Sequence, residues 1–244
     1  AADVHFEEKP RGRLKMWAHP DPNGEMPRDR SYAVGIDIAT GTGSSNSCLS
    51  VGDRKTREKV AEFAVPNMRP DQLAKYAVAM ARWLRDGSGR PALLCWEAAG
   101  PGRIFGDVIV ELGHREIWFR HKEGMATKKT SEMMGWVPTR ESKLTLFGNY
   151  RRQLFSQSFI NRSKEALAEC SEIIYMPGGG IEHTRSVSTR DSSGARMNHG
   201  DRATADALLC MAMGYEGNMV KKAPQITPGS LMYRRRRQQE VKRK

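Results

Sequence analysis

The pattern of apolar and polar positions divides the chain into strand-like segments first and helix-like segments later. Three strands are predicted in succession, over residues 31–39, 47–52 and 58–65. The third mixes polar with apolar side chains, which suits a strand covered on one face only. The Gly-Thr-Gly-Ser-Ser-Asn sequence at 41–46 is a turn, and the short connections indicate that the three strands pair antiparallel.

Helical spacing begins after the third strand. Apolar side chains between residues 70 and 85 recur every three or four positions, which places them along one face of a helix. Residues 91–97 are mostly apolar and predict a buried strand, and a helix follows Gly102 and continues to about Leu112. The remaining predicted elements are a short strand, two helices, a late strand and a last helix, over residues 116–119, 139–155, 163–175, 181–185 and 201–215.

Three antiparallel strands followed by alternating helices and strands predict an α/β fold, with one mixed β-sheet and helices on both faces. This is the element order of the ribonuclease-H-like fold. We expect one domain over residues 31–217, because 244 residues suffice for one sizeable core with appendages. Residues 1–30 are polar and rich in proline, which indicates an N-terminal linker or an arm laid along the domain.

The net charge of +12 is unevenly distributed, which limits what it implies. Residues 221–244 contain 9 basic residues and 1 acidic residue, whereas the rest of the chain contains 31 basic and 27 acidic residues. We therefore expect residues 218–244 to form a basic C-terminal tail that docks on an acidic surface or on DNA. Composition alone does not establish that the folded body binds nucleic acid.

Several classes of protein are disfavoured by what the sequence lacks. No run of about 18 apolar residues occurs, so we expect no membrane span, and the chain has no apolar leader at its start. The four cysteines lie far apart without a C-x-x-C pair, which argues against zinc ribbons and redox motifs. No G-x-x-x-x-G-K-[ST] phosphate loop is present, so ATP hydrolysis by such a loop is not expected.

Three acidic residues occupy special positions. Asp37 interrupts the apolar first strand, Glu97 ends the apolar fourth strand, and Asp201 opens the last helix. The first and fourth strands can be neighbours in this order, and two carboxylates side by side repel unless a cation lies between them. Hard divalent ions prefer such oxygen ligands, and two ions about 3.5–4 Å apart can activate water and stabilise the leaving oxygen in phosphodiester cleavage.

Each acid also has an ordinary structural explanation. A lone acid in a strand is usually exposed or hydrogen-bonded, and an acid at a helix start is usually a cap. The combination of Asp37 and Glu97, each followed by a glycine-rich turn, favours the functional interpretation. Asp206 competes with Asp201 as the third acid, although a surface ion pair with Arg202 explains Asp206. Asp206 and His199, which could contact a phosphate, are auxiliary candidates.

Five segments of the chain resemble the nuclease domain of phage terminase large subunits. Leu-Lys-Met-Trp at 14–17 and Tyr-Ala-Val-Gly-Ile-Asp-Ile-Ala-Thr-Gly at 32–41 resemble the entry to that domain. Glu-Ala-Ala-Gly-Pro-Gly at 97–102 resembles its second acidic motif. Gly-Trp at 135–136, with Thr139 and Lys143, resembles its central segment. Asn-His-Gly-Asp-Arg at 198–202, with Asp-Ala-Leu at 206–208, resembles its third motif, and the whole resemblance covers about residues 12–215.

This resemblance implies a metal-dependent endonuclease that cuts concatemeric double-stranded viral DNA during genome packaging. It implies that Asp37, Glu97 and Asp201 are catalytic metal ligands, with Mg²⁺ or Mn²⁺ as cofactor and two ions bound. The implied partners are the portal protein, the terminase small subunit and an ATPase motor domain, at the procapsid in the host cytoplasm. One position departs from the family: the third motif often has two adjacent acids, and Gly200 replaces the first.

Basic residues near the acidic motifs are candidates for contact with the DNA backbone, which would be sequence-independent and salt-sensitive. These candidates are Arg103, Lys128, Lys129, Lys143, Arg151 and Arg152. The absence of a motor motif indicates an isolated nuclease half, with the motor removed or encoded elsewhere.

Three alternatives remain open from the sequence. An actin-like or sugar-kinase-like ATPase also has an acid followed by a Gly-Thr-rich turn, as at residues 37–45, and residues 177–180 would be its later nucleotide loop. A RuvC-type junction resolvase would share the fold and the metals but cut a different DNA structure. A basic DNA-binding module without catalysis is the third.

Overall fold

The structure, a computed structural model, describes residues 6–121, 130–184, 193–197 and 199–214. Among these residues the main sheet has five strands: β1 (Leu14–Met16), β2 (Tyr32–Asp37), β3 (Ser47–Asp53), β4 (Glu58–Val65) and β5 (Leu93–Trp96). Its strand order is β1-β4-β3-β2-β5, with β5 parallel to β2 and the other neighbours antiparallel. The sheet is therefore mixed, as predicted.

The helices and the smaller strands surround this sheet. The helices are α1 (Pro70–Trp83), α2 (Pro101–Glu111), α3 (Arg140–Phe155), α4 (Lys164–Ser171) and α5 (Asp201–Met213). Two hairpins complete the described elements, β6 (Phe119–His121) with β7 (Thr130–Met134), and β8 (Ile173–Tyr175) with β9 (Ile181–His183). No helix in these ranges is long and apolar enough to cross a membrane.

Alternate side chains of the central strand β2 enter two separate cores. Val34 and Ile36 pack into the core that α1 and α2 cover, whereas Ala33 belongs to the core that α3 and α5 cover. A strand alternates its side chains between the two faces of a sheet, so Asp37 shares the α5 face with Ala33. Helices cover both faces, and the predicted α/β, ribonuclease-H-like arrangement is confirmed.

Gly35 determines how closely α5 approaches the sheet. A Cβ atom at this position would lie 2.1 Å from the Ala205 carbonyl oxygen and 2.3 Å from the Leu209 nitrogen. The backbone of α5 thus lies directly on β2, because Gly35 has no side chain to hold the helix away. This contact brings Asp201, at the start of α5, to the end of β2, where Asp37 lies.

Three parts of the chain differ from the sequence-based elements, and one of them is β7, where no strand was predicted. Residues 173–175 were predicted as the end of a helix, but they form β8, which pairs with β9 from Ile173↔His183 to Tyr175↔Ile181. Pairing with β9 therefore decides the conformation of residues 173–175, although the local spacing of apolar residues predicted a helix. In the N-terminal segment, Leu14–Met16 forms an edge strand against β4. The tail at 218–244 lies outside the described residues, as does the end of the helix predicted to reach residue 215.

Candidate active site

Three carboxylates line one cavity at the carboxyl end of β2. Asp37 is the last residue of β2, Glu97 directly follows β5, and Asp201 is the first residue of α5. Because β5 runs parallel to β2 and the Glu97 N–H donates to the Ile36 carbonyl at 3.2 Å, Glu97 is adjacent to the end of β2. All three acids line a cavity of about 320 Å³. The fold therefore brings together residues that are up to 164 positions apart in the sequence.

The carboxylates in this cavity disfavour each other's negative charge. Burial, followed by the charges of Asp201 and Glu97, raises the pKa of Asp37 well above the ordinary value for an aspartate. Burial also raises the pKa of Glu97, and the ammonium group of Lys143 opposes this rise. A cation bound between the acids would reduce both the desolvation and the repulsion.

Hydrogen bonds hold both the side chain of Asp201 and the first turn of the helix that it begins. Its Oδ2 accepts from the Asn46 backbone N–H at 2.7 Å. Gly200, the residue before α5, offers no side chain to cap the helix. Glu169 of α4 takes this role, since its Oε2 accepts from the N–H groups of Arg202 at 2.7 Å and Ala203 at 3.0 Å. The position of Asp201 thus depends on a residue from another helix.

The structure explains the glycine at position 200, where the family often has an acid. Gly200 has a φ of 77°, in the left-handed region that favours glycine. A Cβ atom there would lie 2.9 Å from Cδ2 of His183, whose side chain is 6% exposed. Any acid at this position would need both a strained backbone and displacement of His183, so this chain contributes one acid from the third motif.

Residues from three other segments complete the cavity wall. Trp136 forms an isolated parallel β-bridge with Glu97, just beyond the end of β5. The Trp136 N–H donates to the Trp96 carbonyl at 2.8 Å. Lys143 of α3 and His199 also line the cavity, as does Glu182 of β9. Glu182 was not a candidate in the sequence, because a short hairpin with one acid has no distinctive pattern.

Asp206 lies away from the cavity, in a buried cluster of polar groups. Its Oδ1 is 2.6 Å from Nζ of Lys59, and its Oδ2 accepts from Tyr150 at 3.2 Å and Asn161 at 2.7 Å. The surface ion pair with Arg202, inferred from the spacing, is wrong because both side chains are buried and Arg202 pairs with other acids. A role for Asp206 in the site has no support from this placement.

The basic candidates are spread over several surfaces. Lys143 alone among the described candidates lines the cavity. Arg103 is exposed near the start of α2, and Arg151 and Arg152 are exposed on α3. Lys128 and Lys129 lie outside the described residues. DNA contact by these residues stays a prediction.

The carboxylate oxygens of the cavity suit a hard divalent ion whose coordination is completed by water and substrate. Carboxylate oxygens are the ligands that Mg²⁺ and Mn²⁺ prefer. In the described part of the chain, no three His, Cys, Asp or Glu side chains are grouped closely enough to hold an ion by themselves. Mg²⁺ commonly uses one or two carboxylates and completes its coordination with water and substrate phosphates. The residues fit an ion of that kind.

No family model and no curated protein sequence matches this chain. Solved structures do. The large terminase nuclease of thermophilic phage G20c with bound magnesium is 15% identical with a TM-score of 0.56, over 85% of this chain and 92% of that one. The same nuclease with bound cobalt is 14% identical with a TM-score of 0.57 over the same shares. The large terminase nuclease domain of Thermus phage P74-26 is 15% identical with a TM-score of 0.55, over 88% of this chain and 92% of that one.

At this level of identity the likeness establishes the fold and leaves the activity to be argued from the site. The strand order, the helices on both faces and the high coverage of both chains agree with this conclusion. The chain has the mixed α/β, ribonuclease-H-like fold of the phage large terminase nuclease domains.

Proposed function

We propose that this chain is a divalent-metal-dependent endonuclease that hydrolyses phosphodiester bonds in double-stranded DNA. The observation that carries the proposal is the convergence of Asp37, Glu97 and Asp201 on one cavity. Burial and mutual repulsion raise the pKa of Asp37, and such perturbed carboxyl groups in a cleft are typical of functional sites. Similarity of fold to nucleases whose structures contain magnesium or cobalt supports the same activity.

The proposed cofactor is Mg²⁺ or Mn²⁺, with two ions per site. Ions held by Asp37, Glu97 and Asp201 would supply an activated water and neutralise charge on the leaving oxygen. The charges of both Asp201 and Glu97 act on Asp37, so a cation held by these acids would relieve the repulsion at Asp37. The backbone N–H of Asn46 and the Glu169 cap on α5 keep Asp201 in a constant position.

The chain's own cations would position the phosphodiester. Lys143 reaches the cavity from α3 and would pair with a non-bridging phosphate oxygen. His199 lines the same cavity and would donate a hydrogen bond to the substrate. Arg103, Arg151 and Arg152 are exposed and would contact more distant phosphates of the duplex.

We propose further that the activity serves viral genome packaging. The neighbours of known structure are named as large terminase nucleases, which supports this assignment. The proposed substrate is concatemeric duplex DNA, and the proposed partners are a portal protein, a terminase small subunit and an ATPase motor domain. The proposed location is the procapsid in the host cytoplasm, where the basic tail at 218–244 would dock on an acidic rim of the portal.

The ATPase alternative has less support from the fold. Residues 177–180, which it requires as a later nucleotide loop, lie in the turn between β8 and β9. The Gly179 carbonyl accepts from Nε of Arg140 at 3.1 Å, so the turn is held against α3. A junction resolvase shares the site chemistry, and a comparison of linear, supercoiled and four-way-junction DNA as substrates separates the two nucleases.

Incubation with supercoiled plasmid tests the proposal. We expect nicking and linearisation in Mg²⁺ or Mn²⁺ and none in excess chelator. Asp37→Asn removes a ligand charge at constant size, so it should abolish cleavage and leave the fold intact. Asp29→Asn is the matched control, because Asp29 is an exposed aspartate that pairs with Lys55 on the surface.

Full cleavage by Asp37→Asn, or by the unmodified chain in chelator, contradicts the proposal. A parallel assay of ATP hydrolysis should show no activity. Micromolar ATP binding, measured by calorimetry, would instead favour the actin-like alternative.

A further inference from the structure

The loop between β2 and β3 forms the wall of a second cavity, of about 550 Å³. Four of its residues carry hydroxyl groups: Thr40, Thr42, Ser44 and Ser45. Asp37, His199 and Asp201 line this cavity as well as the first one. Asp37 and Asp201 therefore lie where the two cavities meet, whereas Glu97 lines only the first.

Backbone hydrogen bonds hold this loop in place. The Gly43 N–H donates to the Pro66 carbonyl at 3.0 Å, and the Gly43 carbonyl accepts from the Arg196 N–H at 3.1 Å. The Ser44 carbonyl accepts from the Met197 N–H at 2.9 Å, and the Thr42 carbonyl accepts from the Arg196 guanidinium at 3.2 Å. The loop is thus fixed mainly through its main chain. Two side chains add to this, since Ser44 Oγ donates to Met197 Sδ at 3.8 Å and Asn46 Oδ1 accepts from Ser193 Oγ at 2.6 Å.

The side chains of this loop can donate hydrogen bonds to an anion. Thr40 and Thr42 are exposed, and their hydroxyl oxygens are 3.2 Å apart. One hydroxyl proton is used in that bond, and the other is available to an acceptor in the cavity. Pro101, at the N-terminus of the 11-residue helix α2, forms part of the opposite wall. That helix end carries a partial positive charge, which adds to the preference for a negative ligand.

We infer that the loop at residues 40–46 binds phosphate groups of the DNA strand next to the phosphodiester that is cut. The inference rests on the proposed nuclease function and extends it to the substrate path. A strand that crosses Asp37 and Asp201 would have its nucleotides in the first cavity on one side and along this loop on the other. Such a two-sided path accepts the interior of a strand, which is the geometry that endonucleolytic cleavage requires.

This inference gives a role to the Gly-Thr-rich turn whose sequence also resembles a nucleotide phosphate loop. DNA and ATP would both present phosphate oxygens to these hydroxyl donors, so the test must distinguish polymeric DNA from ATP. The DNA strand is favoured because this cavity shares Asp37, His199 and Asp201 with the one that Lys143 lines, so a polymeric ligand at the acids would reach both cavities.

The test measures binding, separately from cleavage. All proteins carry Asp37→Asn so that DNA stays intact, and fluorescence anisotropy with a labelled 20-base-pair duplex in Mg²⁺ gives the affinity. We expect Thr40→Val with Thr42→Val to weaken DNA binding roughly tenfold, because hydrogen bonds to charged phosphates are lost. The control is Thr56→Val, an exposed threonine in the β3–β4 turn, which should bind within about twofold of the parent because surface changes far from a contact have little effect.

The dependence of affinity on salt adds a second readout. Hydroxyl groups release no counterions, so the double variant should keep the parent's slope of log affinity against log salt. Unchanged DNA affinity in the double variant overturns the inference. Displacement of DNA by MgATP from the parent but not from the double variant also overturns it, because the loop would then bind a nucleotide. A parent that binds no DNA overturns the proposed function too, whereas DNA binding without cleavage by the unmodified chain counts against the nuclease function alone.

Discussion

Helix α5 carries acidic residues into two regions with opposite charge balance. At its first residue, Asp201 faces Asp37 and Glu97 across a cavity, with Lys143 as the nearby cation. Five residues later, Asp206 enters a fully buried cluster in which acids and bases are paired. Burial raises the pKa of Asp37 and Glu97, so the protein environment disfavours their charged forms.

In the buried cluster, ion pairing favours the charged forms of Lys59 and Glu62, whereas burial raises the pKa of Glu169. Nζ of Lys59 is 2.7 Å from Oε2 of Glu62 and 2.6 Å from Oδ1 of Asp206. Burial alone would raise the pKa of Glu62 and lower that of Lys59, but their mutual attraction and hydrogen bonds reverse both shifts. Arg202 extends the cluster, with Nε 3.3 Å from Glu62 and Nη1 2.7 Å from Glu169.

The difference separates acids that pair with cations of the chain from the acids of the candidate site. A buried carboxylate matched by a cation of the same chain stabilises one arrangement and needs no ligand. Carboxylates that mainly face one another store unfavourable electrostatic energy, which a bound cation can release. Asp206 and Asp201 lie on the same helix, so their partners distinguish their roles.

Lys59→Met should produce the largest effect, because it removes the buried cation from Asp206 and leaves Glu62 with Arg202 alone. We expect the free energy of unfolding to fall by about 3–5 kcal/mol. Urea denaturation measures this change. Lys55→Met, which removes an exposed lysine from the turn before β4, should leave stability unchanged. Equal losses of stability in both variants would show that burial of the cluster is not the cause.

Divalent metal should stabilise the cavity by the next largest amount. At a concentration 100 times its dissociation constant, one bound ion adds about 2.7 kcal/mol to the free energy of unfolding. Thermal unfolding with and without Mg²⁺ or Mn²⁺ measures this gain. The stabilisation by metal should disappear in Asp37→Asn. It should persist in Asp206→Asn, although that variant is less stable without metal. The reverse result would place the metal in the buried cluster and contradict the proposed site.

Glu169→Gln should affect both regions, because Glu169 caps α5 beside Asp201 and also pairs with Arg202. We expect a loss of stability of about 1–2 kcal/mol, typical of a lost helix cap. A displaced Asp201 should also weaken metal binding, which calorimetry measures independently of stability. Glu165→Gln on the same helix, whose partner is the half-exposed Lys15, is the control and should leave metal affinity unchanged.

The smallest predicted effect is a pH-dependent gain from Asp37→Asn in chelator. The folded pKa of Asp37 is raised, so its contribution to stability is present at low pH and is lost as pH rises from about 4 through the folded value. Asp37→Asn should therefore be more stable than the unmodified chain at pH 8, because the variant lacks a charge that the folded state disfavours. Thermal unfolding between pH 5 and pH 8 should show this gap closing as pH falls; a gap independent of pH would show that charge is not its cause.

The strand and helix pattern was predictable because it depends on local periodicity. The three successive strands, the helix after residue 70 and the buried strand before Glu97 are all present. Asp37 and Glu97 could be identified as candidates because each interrupts or ends an apolar strand. The end of the helix predicted at 163–175 was wrong, since residues 173–175 pair with β9 in a contact that local spacing does not encode.

Local sequence patterns were sufficient to predict the fold class and the three acids of the candidate site. Periodicity indicates the elements, and a charge among apolar neighbours indicates Asp37. Which acids line the cavity and which one pairs with Lys59 depends on the tertiary structure. Asp206 differs from Asp201 through Lys59, 147 positions away, and Asp201 is positioned by Asn46, 155 positions away. Pairings over such distances depend on how strands and helices pack, and the packing of α5 on Gly35 places each acid beside its partners.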